Sequence, residues 1–470
     1  MSLKIYNTLS RKKEEFVPLK EGEASIYVCG VTVYDKCHVG HARALITFDL
    51  VLRYLRFLGL KVTFVRNFTD IDDKIIQRAE KEKAAPRAVA EKYIEEFHRD
   101  AAALGLVAPD HEPRATEHVP EMIDLIGKLE KKGLAYAVDG DVFFSVDRFA
   151  PYGKLSGRKL DELEAGVRVE VDPRKKHAMD FALWKHSKEG EPAWESPWGR
   201  GRPGWHIECS AMSVKYLGQP FDIHGGGADL IFPHHENEIA QSEGAAGKPF
   251  ARYWMHNGFV DINHEKMSKS LGNTYGIQEV LEKYPAAALR QYMLSSHYRS
   301  PLDFSYAGLE EAEKGVERIY ETVERMNAAA GPAEAGRHGE GVLEEFQKEL
   351  DDDFNTPRAL ALVFEEVRSL NRMLDRGDTK GLADRRAQLK QAGEVLGILL
   401  EEPEALRGKK KAHRLREQGM SPQEIERMIA DRNLARKEKR WADADRIRNE
   451  LQDKGITLED TPGGTLWKVR

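Results

Sequence analysis

Along the chain the apolar positions change period several times, and each change marks an element. Residues 24–28 (Ala-Ser-Ile-Tyr-Val) are a short apolar run that predicts a buried strand. From 42 to 59 the apolar residues recur at helical spacing. Residues 61–66 (Lys-Val-Thr-Phe-Val-Arg) read as a second strand, which completes a β-α-β unit and favours a parallel, doubly wound sheet. Helical patterns cover about 73–104 and Glu117–Lys132. Leu134–Val138 and Asp141–Val146 flank Asp139-Gly140, the pattern of a hairpin with a type I′ turn. A helix start at Gly204–Met212 is followed by strand-like runs at Phe221–His224 and Trp254–Val260. From Leu309 the period becomes helical, over 310–326, 341–350 and 357–374, with the Ala- and Gly-rich 331–341 as a loose connector. Ser421-Pro422-Gln423-Glu424 is a capping box that opens a further helix, and a second helical run begins at Lys439.

Composition narrows the class. At 470 residues, 41% of them hydrophobic, the chain exceeds one core and has enough apolar material for about three. The first residues carry no basic-then-apolar leader and no apolar run approaches a membrane span, so a cytoplasmic protein without a membrane segment is expected. Three cysteines argue against a disulfide framework and leave metal binding or plain burial. Net charge is −6, but Arg407–Arg440 holds twelve Lys/Arg against five Asp/Glu, a local +7 that leaves −13 on the remainder. A solvated charged helix explains such a run as readily as a polyanion partner.

The richest stretch is Cys29–His41, at the seam between the first strand and the first helix. Helix starts attract anions, and His38 and His41 flank Gly40, where a ligand can approach the backbone. A nucleotide phosphate suits such a place, although no P-loop pattern occurs in the chain. Asn67–Lys74 falls at the carboxyl end of the second strand, where ligands of open α/β sheets bind. Gly225-Gly226-Gly227-Ala228-Asp229 offers bare backbone and, in Asp229, a carboxylate for ribose hydroxyls; a tight turn is the equal alternative. In Phe232-Pro233-His234-His235-Glu236-Asn237-Glu238 the proline near a helix start places His234 and Glu238 at i and i+4 on one face. With Cys29 and Cys209 they make four candidate metal ligands whose N, S and O donors suit zinc better than magnesium or calcium. Buried, unligated thiols remain the commoner state of cysteine. Asp351-Asp352-Asp353 lacks the loop spacing of an EF-hand and reads as a helix start with acids near its amino end.

His38-Val39-Gly40-His41 resembles the HIGH signature of class I aminoacyl-tRNA synthetases, and Lys266-Met267-Ser268-Lys269-Ser270 matches their KMSKS loop. Cys29-Gly-x-Thr-x-Tyr-Asp, Trp205-His-x-Glu-Cys209 and His224-Gly-Gly-Gly-x-Asp-Leu-x-Phe-Pro-His234-His-Glu-Asn-Glu238 resemble the cysteinyl-tRNA synthetase subgroup, as does the basic ending through Asp460–Trp467. The resemblance covers nearly the whole chain. It implies an α/β, Rossmann-like doubly wound parallel sheet as catalytic domain over 1–111 and 204–255, split by an insertion domain at 112–203. A KMSKS-containing linker subdomain at 256–308, an all-α bundle at 309–402 and a small basic anticodon-binding domain at 403–470 follow.

The activity so implied is formation of cysteinyl-adenylate from L-cysteine and ATP, then transfer of cysteine to the 3′ end of tRNA(Cys) by a monomer. His38, His41, Lys266 and Lys269 would serve catalysis; Gly40, Asp229, His256 and Lys269 would hold ATP; Thr69, Trp205 and His224 would line the amino-acid pocket. One zinc ion per chain would sit on Cys29, Cys209, His234 and Glu238 and select the thiol, and Mg2+ would accompany ATP. Cys37 and His235 match no ligand position. The alternative is a ligase that passes the same adenylate to an amino-sugar acceptor and needs no anticodon module.

Overall fold

The computed structural model describes residues 2–159, 172–262, 265–266, 274–329, 342–461 and 464–469. The chain divides into two compact units. One comprises 1–280 with 286–399, the other 281–285 with 400–470.

The first unit begins with a hairpin, β1 (Lys4–Asn7) and β2 (Lys12–Glu15), and then builds a four-stranded parallel sheet. Its strands are β3 (Glu23–Val28), β4 (Lys61–Arg66), β9 (Phe221–Gly227) and β10 (Ala251–Asn257), in the order β10-β9-β3-β4. The chain runs outward from β3 to β4 and returns on the other side of β3, so the strand order reverses between β3 and β9. A crevice opens at such a switch point, beyond the carboxyl ends of the strands. Helix α1 (Val39–Phe57) packs across one face, where Val28 and Gly225 are register partners. Tyr27 and Val65, alternating to the other face, join the core of α4 (Val119–Lys131) and α5 (Trp205–Leu217) through Met122, Ile207 and Met212.

The helical stretch after β4 is broken in two, α2 (Asp73–Glu82) and α3 (Pro86–Ala103), because Lys83 turns left-handed (φ 52°) before Pro86. The insertion is an antiparallel meander, β5 (Ala135–Val138), β6 (Asp141–Phe144), β7 (Phe181–His186) and β8 (Gly201–Pro203). Asp139 and Gly140 both have positive φ, as a type I′ turn requires. Gly225–Gly227 is the carboxyl end of β9 and not a tight turn: a Cβ on Gly225 would lie 2.2 Å from the Phe48 ring of α1. Glycine there lets helix and sheet close up. After α6 (Glu236–Ala246) and β10, a small sheet forms from β11 (Val260–Ile262), β12 (Glu265–Lys266) and β13 (Leu302–Asp303).

The helices that follow in this unit include α8 (Ala286–Leu294, numbered after α7, Ile277–Lys283), α9 (Tyr306–Ala329), α10 (Val342–Asp351), α11 (Thr356–Asp375) and α12 (Leu382–Leu396). The acidic tripeptide does not sit at a helix start: Asp351 ends α10, and Asp353 lies in the connector before α11, fully buried. Burial converts these acids from dipole partners into hydrogen-bond acceptors for distant groups. Residues 331–341, read above as a connector, lie outside the described residues.

The second unit contains α13 (Pro403–Glu417), α14 (Pro422–Lys437), α15 (Trp441–Asp453) and the hairpin β14 (Ile456–Thr461) with β15 (Gly464–Val469). Leu415, Ile425, Ile429, Leu451 and Ile456 form its core. The Ser421–Glu424 capping box forms as expected. Among the described residues no helix is long and apolar enough to cross a membrane.

Candidate active site and metal centre

Beyond β3 the backbone runs so close to the end of β4 that Gly30 donates to Asn67 Oδ1 at 2.9 Å, and a Cβ there would lie 1.6 Å from the Asn67 carbonyl oxygen. The preceding Cys29 donates its N–H to Gly225 O at 3.2 Å, which ties it to β9. At the start of α1 the two histidines cap one another's turn. His38 Nδ1 accepts from Gly40 N–H at 3.2 Å and His41 Nδ1 accepts from His38 N–H at 3.1 Å, with the rings 3.8 Å apart. Capping does not remove them from the cleft. A 390 Å³ cavity at the switch point is lined by Cys29, His38, Gly40, His41, Trp205 and Asp229, with Gly226, Gly227, Asn257 and Gly258 along its far wall.

Lys269 lies outside the described residues, as does the side chain of Lys266, whose backbone is in β12. Where the chain is described again it is stitched to the histidine turn: Val39 N–H donates to Tyr275 O at 2.9 Å and Ile277 N–H to Cys37 O at 3.2 Å.

Next to Cys29, the donor atoms of Cys29, Cys209, His234 and Glu238 all lie within 4.8 Å of one another, three of the four residues being buried. Cys29 Sγ is 3.5 Å from His234 Nε2 and 3.3 Å from Glu238 Oε1, and His234 Nε2 is 3.0 Å from Glu238 Oε1. A tetrahedral zinc shell with bonds of ~2.0–2.3 Å has donor–donor edges near ~3.5 Å. Two thiols, an imidazole and a carboxylate at these separations therefore fit such an ion. A second quartet, Cys29, His224, His235 and Glu238, overlaps the first. It has one thiol, and its His224 Nε2 is committed to Glu238 Oε2 at 2.8 Å.

The cluster is electrostatically coupled. Burial pushes the Cys209 thiol up, but the hydrogen bond with Cys29 and the neighbouring His234 outweigh it and bring the thiol to about 6. Burial also lowers His234, yet the Glu238 charge and Cys209 raise it to about 10. Glu238, despite burial, is held well below the usual carboxylate range by His224 and His234. Cys29 is raised by burial and then by Cys209.

Of the expected pocket residues, Trp205 stands on the cleft wall and stacks on His234, with 4.2 Å between centroids. Thr69 and His224 are buried behind that wall. Thr69 Oγ1 donates to Glu208 Oε2 at 2.9 Å, and His224 is held between Glu238 and the Trp254 ring at 4.5 Å. His256 also lies behind the wall, its Nδ1 2.8 Å from Thr8 Oγ1 and its Nε2 2.8 Å from His235 Nδ1, while its neighbours Asn257 and Gly258 face the cavity.

Sequence reading passed over His206, whose Nδ1 is 2.8 Å from His234 Nδ1 and so orients that ring. The signal was available: His206 and Cys209 are three apart on one helix and share a face. It also left His235 as a bystander, though His235 packs on His224 with 4.4 Å between centroids and bonds to His256.

In the second unit, Arg432 donates twice to Asp460, at 2.9 and 2.8 Å, and Arg436 once at 2.7 Å. Trp441, at the head of α15 after Lys439-Arg440, is 59% exposed and so is no core residue. An exposed aromatic beside basic residues can stack an unpaired base.

Comparison with known proteins agrees with this geometry in extent. Residues 15–314 match the family described as tRNA synthetases class I (C) catalytic domain, 345–401 the DALR domain, and 420–467 the cysteinyl-tRNA ligase anticodon binding domain. Cysteine–tRNA ligases of Geobacter metallireducens and Geobacter sulfurreducens are 58% and 56% identical, each alignment covering all of both chains. Among solved structures, the methionyl-tRNA synthetase of Mycobacterium tuberculosis bound by methionyl-adenylate has a TM-score of 0.58 at 18% identity, over 85% of this chain and 95% of that one. The LeuRS–tRNA–LeuAMS ternary complex of Agrobacterium radiobacter has 0.61 at 12%, over 84% and 86%. These two share the fold.

Proposed function

The chain belongs to the cysteine–tRNA ligase family of class I aminoacyl-tRNA synthetases and activates L-cysteine with ATP for transfer to tRNA, and on that premise we propose how its residues divide the work. The amino-sugar acceptor has no support: the relatives match over the full length, and the family of an anticodon binding domain matches 420–467.

A cysteine carboxylate oxygen attacks the α-phosphorus of ATP, the α–β phosphoanhydride bond breaks, and pyrophosphate leaves. The terminal ribose hydroxyl of tRNA then attacks the adenylate carbonyl and AMP departs. Such chemistry needs positioning and stabilisation of developing negative charge more than covalent help. His38, His41 and the start of α1 hold the phosphates, with Gly40 allowing close approach, and Lys266 and Lys269 neutralise the leaving pyrophosphate. Mg2+ accompanies ATP, held mainly by phosphate and water. Asp229 takes the ribose hydroxyls, and His256 braces the Asn257–Gly258 wall from behind.

Cys29, Cys209, His234 and Glu238 would hold one zinc ion, which on binding supplies a thiol-seeking centre that favours the cysteine side chain over serine's hydroxyl. Trp205 covers this end of the cleft, while Thr69 and His224 hold Glu208 and Glu238 behind it. Exposed Trp441 and its basic neighbours meet the anticodon loop. No disulfide joins the three cysteines, which suits a reducing compartment, and a cytoplasmic monomer is the setting we propose.

The observation that carries this reading is the convergence of four thiol-compatible donors from three separate segments beside the cavity that holds His38 and His41. The Cys209→Ser variant tests it. Zinc content by atomic absorption should fall from one per chain, and the cysteine-over-serine ratio in pyrophosphate exchange should drop toward the ~100 that an apolar pocket provides against a hydroxyl isostere. Unchanged discrimination in a zinc-free variant would contradict the assignment.

A further inference from the structure

A turn at Ser296–Ser300, between α8 and β13, is tethered from three sides. Arg43, two residues beyond His41 on α1, is 1% exposed, and its Nη2 donates to the carbonyl oxygens of His297 at 2.8 Å, Ser296 at 3.2 Å and Ser300 at 3.5 Å. A buried guanidinium spent on backbone carbonyls, with burial drawing its pKa down to about 10, is held there by geometry and not by a charged partner.

From the opposite side the same turn carries the far wall of the cleft. Gly258 N–H donates to Tyr298 O at 2.8 Å, and Leu302 N–H to Phe259 O at 2.9 Å. A Cβ on Gly258 would point at the turn and not into the cavity, lying 2.4 Å from Ser300 O.

Asp353 is the third tether. Its wholly buried carboxylate accepts from Tyr298 OH, Arg299 Nε and the Tyr6 N–H of β1, each at 2.8 Å, and Arg299 in turn lies 4.3 Å from the Tyr6 ring. Asp353 holds a left-handed backbone (φ 63°), which residues other than glycine keep only where surrounding contacts demand it. Helix α1, through Arg43, and the Gly258–Phe259 segment, which both line the cleft, are thus joined by one braced turn.

We propose that Arg43 and Asp353 are positioning residues for the nucleotide: through the Ser296–Ser300 turn they set the gap between the histidine turn and the Gly258 wall, and so govern ATP binding and not cysteine binding. The proposal deepens the reading above and rests on the cleft being the ATP site. Cys29 and Trp205, at the thiol end, hang on β3 and α5 and not on this turn.

Pyrophosphate exchange is measured on the full chain with ATP varied at saturating cysteine, and the reverse, for Asp353→Asn, Arg43→Met, Arg43→Lys and Gly258→Ala, with thermal melts of each. Displacements near 1 Å cost up to roughly a hundredfold in such sites, so the KM for ATP should rise at least about tenfold. The KM for cysteine should stay within about twofold, and Arg43→Lys, which keeps a cation, should be milder than Arg43→Met. If Asp353→Asn does not fold, the Arg43 pair and Gly258→Ala decide. Parallel shifts in both KM values, or a fall in kcat alone, would overturn the proposal as a merely structural effect. His41→Asn in the same assay separates the two readings. If it behaves as the parent, the cleft is not the ATP site; if it is impaired while the joint variants keep the parent's KM for ATP, only the positioning claim falls.

Discussion

Gly30→Ala is a one-methyl perturbation whose consequence can be worked from distances. The new Cβ would stand 1.6 Å from Asn67 O, whereas Cβ contacts under 3.0 Å are essentially never found, so the ends of β3 and β4 must part by at least 1.4 Å. Two backbone bonds hold those ends, Thr69 N–H to Val31 O and Val33 N–H to Thr69 O, both 3.2 Å, together with Gly30 N–H to Asn67 Oδ1 at 2.9 Å. Stretched by that amount all three are lost, at about 1 kcal/mol each, or about 3 kcal/mol in total. At roughly 2 °C per kcal/mol for a large domain, the melting midpoint should fall by about 6 °C. Cys29 moves with its neighbour, so zinc retention against a chelator should weaken and pyrophosphate exchange should drop roughly a hundredfold. Gly127→Ala is the matched control. Its helical site has nothing within 4 Å, so it should stabilise by roughly 0.5–1 kcal/mol and leave activity alone. A Gly30→Ala protein with the parent's melt and exchange rate within threefold would refute the reasoning.

Other perturbations separate the parts of the molecule. His206→Ala removes the group facing His234 Nδ1 at 2.8 Å, so metal affinity measured by chelator competition should fall about 10- to 100-fold; an unchanged affinity would remove His206 from any orienting role. Lys269→Ala should lower adenylate formation in rapid quench far more than cysteine affinity by equilibrium dialysis, and equal losses would contradict its place at the pyrophosphate. Asp460→Asn strands Arg432, whose side chain is 5% exposed. Because Asp460 is itself half open to solvent, the cost should be only about 1–2 kcal/mol. Charging of tRNA should fall while pyrophosphate exchange holds; loss of both would place Asp460 in general stability instead.

Local order was legible because it depends on local causes. The periods at 24–28, 42–59 and 61–66 announced the first β-α-β unit, Asp139-Gly140 announced a turn that needs two positive φ angles, and Ser421–Glu424 announced its helix. Donor types were legible too, since softness and charge belong to the residues themselves.

What no local pattern carries is which distant groups become neighbours. Cys29, Cys209 and the His234/Glu238 pair meet only because β3 and β9 are adjacent strands while α5 and α6 pack on the same face of the sheet. The Gly225–Gly227 run is a strand because it pairs with β3 and β10, with the Phe48 ring filling the place of a Cβ at Gly225, and Asp353 is an acceptor at the hub of a joint because Tyr6, Tyr298 and Arg299 arrive from elsewhere. The order of residues along this chain settled most of its elements and the kinds of donor they carry. Close packing settled which side chains face the cleft, which stand behind it, and how far apart its walls lie, because those distances depend on contacts between segments hundreds of residues apart.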